Sequence, residues 1–152
     1  MSWITTANRM RLTRSISIRP RTDLAPNDKS SLERKLADRY VMQGKWKEGR
    51  AAFQKIFDAN KDNFDAAMRL GDLIEKTGTP EEAIQFYRSL LKIPSYQPKD
   101  RAFLQVDIHN RTGNLYAGIK RNSDAITEYH EVLKLDPENA VALGALKLLQ
   151  GG

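Results

Sequence analysis

Two histidines and several carboxylates are the side chains of this sequence that could bind a metal or act as general acids and bases. His109 and His130 stand 21 residues apart in different helical patterns, so they do not form the i, i+4 pair that binds zinc on one helix. Acidic residues at helical spacing are usually solvated charges. Here they are Asp65, Asp72, Glu75 and Asp107.

Motifs that hold phosphates or catalytic metals are not found in the sequence. There is no Gly-x-x-x-x-Gly-Lys loop, no Gly-x-Gly-x-x-Gly after a strand, and no His-Glu-x-x-His helix. Cysteine is absent, which excludes disulfides and thiolate zinc sites. We therefore predict that the chain is not an enzyme, with no catalytic residue, no metal site and no cofactor.

Length and composition indicate one folded domain. The chain has 152 residues, of which 40% are hydrophobic and 29% charged, as is ordinary for a soluble helical protein. No stretch reaches the roughly 18 apolar residues that cross a bilayer, and the N-terminus lacks the apolar core of a secretory signal. These patterns predict no membrane span and a cytoplasmic location.

A repeated pattern of small and aromatic residues occurs three times after residue 30. Each occurrence opens with a small residue before a tyrosine or isoleucine, continues to a second small residue, and then reaches an aromatic four residues later. The opening residues are Ala37 with Tyr40, Gly71 with Ile74, and Gly113 with Tyr116. The later pairs are Gly49 with Phe53, Ala83 with Tyr87, and Ala125 with Tyr129, and Pro137 closes the third occurrence.

This pattern resembles the tetratricopeptide repeat, a unit of about 34 residues. The units are 30–63, 64–97 and 106–139, with an insertion of about eight residues between the second and third. The inserted segment is residues 94–105, which begin by breaking the second helix of that unit at Pro94, and we read it as loop variation, with a contact role as the alternative. The resemblance implies an all-α fold of antiparallel hairpins, stacked as a short right-handed superhelix of about seven helices, in a domain over residues 30–152.

Capping signals place the helices within these units. First helices are predicted at about 31–43, 64–77 and 99–118, and second helices at about 46–58, 80–92 and 123–135. Ser30, Thr79 and Ser123 are the predicted N-caps, the first two in capping boxes, and Gly44 and Gly78 the predicted left-handed ends.

Helix packing follows from the same residues. Facing small residues, such as Gly71 with Ala83, should let the two backbones of a hairpin approach closely, and His109 should face the preceding hairpin. A last helix is predicted at about 138–149, and we expect it to cap the repeats. The alternative is that Leu146 and Leu149 are exposed on it and form a dimer interface.

The resemblance also implies a binding site, because the first helices of such repeats line a concave groove that takes an extended peptide or a helix. The family's groove positions fall on nine residues that we predict to contact a partner: Arg34, Asp38, Met68, Arg69, Asp72, Lys76, Asn110, Arg111 and Asn114. Arg34, Arg69 and Arg111 could form a row that grips carboxylates, or could lie in a mixed-charge solvated face.

One subclass of the family holds a C-terminal carboxylate with lysine, asparagine and arginine side chains at five places. In this sequence Asp38 and Arg69 occupy the asparagine places and Asp107 the second lysine place. An acidic side chain there would repel the bound carboxylate, so the sequence does not predict that activity.

The N-terminal segment 1–29 is predicted to be a basic arm that is largely irregular. Its first 22 residues contain five arginines and no acidic residue, a composition typical of mitochondrial or plastid transit peptides. A docking arm and an inert tail are the alternatives. Specific nucleic-acid binding is not predicted, because a few arginines give only nonspecific attraction.

The sequence thus predicts an adaptor that binds another protein in its groove, within a larger assembly. The partner would present an acidic or mixed-charge segment. The alternative is a self-assembling structural subunit that docks through its N-terminal arm or its C-terminal helix. The location would be mitochondrial or plastid if residues 1–22 are a transit peptide.

Overall fold

The computed structural model of the chain describes residues 25–97 and 99–151, in which it has seven α-helices and no strand. Contacts divide the chain into residues 1–32 and 33–152. The helices are α1 (Pro26–Met42), α2 (Trp46–Ala59), α3 (Phe64–Thr77), α4 (Pro80–Leu90), α5 (Ala102–Gly118), α6 (Asn122–Leu135) and α7 (Ala140–Gln150). Short 3-10 helices lie at Pro94–Tyr96 and Lys99–Arg101. The predicted all-α class is confirmed.

Several helix starts differ from the prediction. Helix α1 begins at Pro26, so Ser30 lies inside it and is not a cap; proline suits the first helical position, and Asp28 adds an acid in the first turn. Helix α6 begins at Asn122, so Ser123 is likewise internal. Helix α7 begins only after Asn139, whose side chain accepts from the backbone N–H of Ala142.

The ends of the first helices also differ from one another. Gly44 has a φ of 70°, as predicted, but Gly78 has a φ of −115° and ends α3 in extended backbone. After α5 the left-handed residue is Lys120, with a φ of 65°. The two left-handed turns are alike, because in each the next residue donates back across the helix end, Lys45 to Tyr40 and Arg121 to Tyr116.

The predicted arm is described only in its last residues. Residues 1–24, and with them the predicted transit peptide or docking arm, lie outside the described residues. Residues 26–29, predicted to be irregular, form the first turn of α1. None of the described helices is long and apolar enough to cross a membrane.

Glycines make room for aromatic rings where the two helices of a hairpin cross. A Cβ at Gly71 would lie 2.5 Å from the Tyr87 ring, and one at Gly113 would lie 2.8 Å from the Tyr129 ring. Gly71 and Gly113 of the first helices therefore each face the aromatic ring of the second helix, while the close approach to Ala83 and Ala125 stays a prediction. Both rings are buried, so the glycines allow helix pairs to pack around them.

Most of the residues predicted to pack between the repeat helices are buried. Tyr40 is only partly buried, and Pro137 is exposed because α6 has already ended at Leu135 and the proline lies in the following turn. The buried members are Ala37, Gly49, Phe53, Gly71, Ala83, Tyr87, Gly113, Tyr116, Ala125 and Tyr129. Leu146, predicted to be exposed, is buried in α7, and Leu149 is partly buried; Leu143 and Leu148 are exposed instead.

The insertion between the second and third hairpins contributes a core residue. Tyr96 is 0% exposed and packs edge-on against Phe64, with ring centroids 4.5 Å apart. Burial raises the pKa of the Tyr96 hydroxyl to about 12, with Asp62 adding to the shift. The Tyr96 hydroxyl donates to the Lys61 carbonyl, and Ser95 donates to Asp62. The interpretation as loop variation without a role is therefore wrong.

Candidate functional site

We call the surface formed by the first helices of the hairpins the first-helix face. Within residues 33–151 it comprises one side of α1, α3 and α5, together with the start of α7. Stacked hairpins bring these helices side by side, because each second helix returns the chain to the same end. The nine predicted partner-binding residues all lie on these helices.

Arg34 of α1 is engaged by carboxylates at one end of this face. Its Nε lies 3.1 Å from Asp38 Oδ2, its Nη1 binds Asp65 of α3, and its guanidinium lies 5.3 Å from the Phe53 ring centre. Burial disfavours the charged guanidinium, but the bonds to Asp65 and Asp38 outweigh burial and raise the pKa of Arg34. Arg34 therefore links the first two hairpins.

Arg111 of α5 lies at the centre of a second, larger network. Its Nη1 is 2.5 Å from Asp72 Oδ1 and 3.7 Å from Glu75 Oε1, both on α3, and its Nε is 3.0 Å from Asp107 Oδ2. Burial disfavours the charge of Arg111, yet Tyr87 and the carboxylates outweigh burial, so the pKa of the guanidinium is raised. We call Asp72, Glu75, Asp107 and Arg111 the Arg111 cluster.

Tyr87 connects this cluster to the core. Its hydroxyl donates to Glu75 Oε1 at 2.6 Å and accepts from Arg111 Nη1 at 3.2 Å. Burial and the bond to Glu75 raise the pKa of Tyr87. The ring that fills the space beside Gly71 thus also fixes side chains on the first-helix face.

Two adjoining clefts open on this face. One, of about 500 Å³, is lined by Val41, Trp46, Arg69, Asp72, Leu73, Glu75 and Lys76. The other, of about 560 Å³, is lined by Glu75, Asp107, Asn110, Arg111, Asn114, Leu115 and Val141. We call them the Trp46 cleft and the Asn110 cleft. Since Glu75 lines both, they are neighbours on one surface.

In the Trp46 cleft the Lys76 ammonium lies 4.2 Å from the centre of the Trp46 ring, which is within the range of a cation–π contact. Trp46 is 37% exposed. Arg69 is exposed beside them. Met68, predicted to contact a partner, is partly buried and packs against the core instead.

In the Asn110 cleft two asparagines bind neighbouring helices. Asn110 Nδ2 donates to Asn139 Oδ1 at 3.3 Å, while its own Oδ1 is buried and accepts no hydrogen bond from any residue that the structure describes. Asn114 Oδ1 accepts from the Tyr129 hydroxyl at 2.6 Å.

The three predicted arginines are not equivalent. Arg34 and Arg111 bind carboxylates of their own chain, whereas Arg69 is exposed. A free row of guanidinium groups is therefore not what this face presents. The arrangement corresponds to the mixed-charge alternative.

His109 binds a carboxylate of its own hairpin, a contact that the sequence did not predict. Its Nδ1 lies 2.6 Å from Glu128 Oε2 of α6, the second helix of its own hairpin, and both side chains are largely buried. Its polar partner is thus within its own hairpin, and the predicted orientation toward the preceding hairpin stays a prediction. His130 is exposed, and the described residues hold no group of three His, Asp or Glu side chains suited to a metal.

Sequence reasoning missed three apolar residues of this face. Trp46 is the first residue of α2, Val141 belongs to the predicted cap, and Phe103 is 67% exposed near the start of α5. Phe103 precedes Asp107 by four residues and Asn110 by seven, a spacing that puts all three on one side of the helix. That spacing was a signal available in the sequence.

We expect that Arg111→Met will lower the free energy of unfolding by about 1–3 kcal/mol, because it removes charge-assisted bonds and leaves three carboxylates facing one another. Urea unfolding measures the loss, which should shrink at high salt because salt screens the repulsion. Arg121→Met is the matched control, since Arg121 pairs only with the exposed Asp124 among the carboxylates of the described residues. Equal losses for the two variants would contradict the role of the Arg111 cluster.

Comparisons with known proteins agree on the fold. A model of the tetratricopeptide repeat family matches residues 34–98. The chain resembles the first TPR of Spaghetti (RPAP3) bound to the HSP90 peptide SRMEEVD, with a TM-score of 0.62 and 18% identity over 82% of this chain and 92% of that one. The Arabidopsis OM64 TPR domain gives a TM-score of 0.61 and 16% identity over 80% and 94%.

The second TPR domain of human RPAP3, in complex with the HSP70 peptide SGPTIEEVD, has a TM-score of 0.62 and 16% identity over 83% of this chain and 98% of that one. No curated protein matches the sequence. The family match covers the first two hairpins, and the third hairpin with α7 continues the same fold. Residues 34–98 therefore match the tetratricopeptide repeat family, and the described helices have the fold of TPR domains, in agreement with the resemblance seen in the spacing of the small and aromatic residues.

Proposed function

We propose that the chain is an adaptor that binds a segment of another protein on the first-helix face. The observation that carries this proposal is the pair of adjoining clefts, about 500 and 560 Å³, that open between parallel first helices and share Glu75. Together they form an elongated site with polar side chains along it and exposed apolar residues at Trp46 and Val141. An elongated site of this kind suits an extended peptide or a helix.

The structural neighbours support a peptide as the ligand. Two of them are RPAP3 domains with an HSP90 or an HSP70 peptide bound. The chain differs from a carboxylate-holding site at Asp38 and Asp107, so a C-terminal carboxylate is not the proposed ligand. An internal segment of a partner fits better.

Self-assembly is the second candidate. Leu148 of α7 is 82% exposed and Leu143 is 47% exposed, so the last helix presents apolar side chains to solvent. A second copy could cover them. This candidate predicts that the full-length chain is an oligomer in light scattering and becomes a monomer when Leu148 is changed to Gln.

Photo-crosslinking tests the adaptor proposal. A photoreactive amino acid replaces Phe103 or Arg69 on the first-helix face, or Gln85, which is exposed on α4, as the control. After irradiation in an extract of the source cells, we expect one partner protein linked through positions 103 and 69 and not through 85, read by mass spectrometry. Crosslinks to a partner from position 85 alone would contradict the proposal.

A further inference from the structure

The charges of the first-helix face are unbalanced around Arg111. Three carboxylates, from Asp72, Glu75 and Asp107, lie within 4 Å of one guanidinium, which gives the Arg111 cluster a formal charge of −2. Their side chains are 42%, 34% and 47% exposed, so their outer oxygens face solvent. A ligand on this face would meet those oxygens.

The excess of negative charge is confined to the Asn110 cleft. In the Trp46 cleft, Arg69 and Lys76 balance Asp72 and Glu75. In the Asn110 cleft, Arg111 is the one cation among the lining residues, against Glu75 and Asp107, and Asp72 binds the same arginine from α3. The two ends of the face therefore differ in charge.

The remaining groups of the Asn110 cleft favour a ligand that presents a hydrogen-bond donor and an apolar side chain. Glu75 and Asp107 bring carboxylate oxygens to the lining, the guanidinium of Arg111 is already bound by carboxylates, and Val141 is 52% exposed at the edge of the cleft. Phe103, one turn before Asp107 on the same side of α5, adds an exposed aromatic ring. Cationic side chains with long apolar stems, lysine and arginine, suit such a mixture.

We propose that the Asn110 cleft selects a basic segment of a partner protein, with a Lys or Arg against Asp107 and the adjoining carboxylates of the Arg111 cluster, and a neighbouring apolar residue on Phe103 or Val141. This inference rests on the proposed function and sets the charge of its ligand. It replaces the acidic segment considered from the sequence, because carboxylates of such a segment would be repelled by the Arg111 cluster. Nucleic acid is disfavoured for the same reason.

A random 12-residue peptide display library, selected on the full-length protein, tests the charge preference. We expect enriched peptides to carry Lys or Arg next to an apolar residue. Measured by fluorescence anisotropy, their affinity should fall at least tenfold with Asp72→Asn plus Asp107→Asn, and also between 0.05 and 0.5 M NaCl. Asp58→Asn is the control, because Asp58 is an exposed residue of α2 that pairs with Lys61; it should leave affinity unchanged.

The outcomes separate this inference from the function on which it rests. Enrichment of acidic peptides whose binding is lost with Arg69→Glu would overturn the inference but would still support binding on the first-helix face. Enriched peptides that no substitution on the first-helix face weakens, or no enrichment at all, would overturn both. Self-association of the full-length chain that the double substitution abolishes would identify a second copy as the occupant and overturn the partner segment. Circular dichroism checks that each variant is folded, and Glu75→Gln replaces the double variant if that variant unfolds.

Discussion

Gly71→Ala is expected to lower the free energy of unfolding by about 1–3 kcal/mol, although alanine is the better helix former by about 1 kcal/mol. The new methyl group would lie 2.5 Å from the Tyr87 ring and hydroxyl. That ring is fully buried, and its hydroxyl is held by Glu75 and Arg111, so it cannot move aside without losing hydrogen bonds. Urea unfolding followed by circular dichroism measures the change.

Gly144→Ala is the matched control for this prediction. Gly144 also lies inside a helix, α7, but a Cβ there would meet nothing within 4 Å. Its replacement should therefore raise stability by up to about 1 kcal/mol through helix propensity alone. If Gly71→Ala were stabilising to the same degree, the close contact between α3 and Tyr87 would be refuted.

Tyr96→Ala is expected to cost about 3–5 kcal/mol, the range for removing a buried aromatic side chain. The ring is fully buried against Phe64, and its loss would leave a cavity under the start of α5. Tyr96→Phe should cost less than about 1.5 kcal/mol, because the hydroxyl makes one long hydrogen bond, 3.4 Å, to the Lys61 carbonyl. Thermal and urea unfolding measure both.

Phe103→Ala provides the comparison for an aromatic of the same region. Phe103 is 67% exposed, so its removal should change stability by no more than about 0.5 kcal/mol. Similar losses for Tyr96→Ala and Phe103→Ala would show that the insertion is not part of the core.

The repeat architecture was predictable because it depends on spacing within each hairpin. Gly71 and Tyr87, or Gly113 and Tyr129, recur at a constant offset, and that offset follows from the geometry of two crossing helices. The close contact of Gly71 with the Tyr87 ring, which the sequence did not predict, shows the limit of this reasoning. The repeat pattern identifies which residues are small or aromatic, but which of them touch depends on side-chain direction.

The candidate site was less predictable because it depends on contacts between hairpins. Asp72 and Arg111 are 39 residues apart, and only the stacking of α3 and α5 places them 2.5 Å apart. The sequence put both in the groove but read the acids as solvated charges. Phe103 could have been found from its spacing to Asp107. Trp46 is the first residue of α2, a second helix, and the groove was predicted only from the first helices, so its position in the sequence did not indicate it.

The predictions of the helix boundaries and of the role of the insertion failed for local reasons. Ser30 has the sequence of a cap, but Pro26 and Asp28 begin the helix one turn earlier. Tyr96 lies in a proline-containing segment without periodicity, so nothing in its neighbours marked it as buried. Its burial depends on Phe64, which is far away in the sequence.

Tyr96 also bears on how a periodic protein can accept extra residues. An interruption of the period would ordinarily separate two units and expose the surfaces where they meet, which selection would remove. Here the added stretch brings its own ring to cover that junction, and Ser95 fastens it to Asp62. The extra residues are thus part of the joint between two units, and shortening the chain to restore a regular period would weaken that joint.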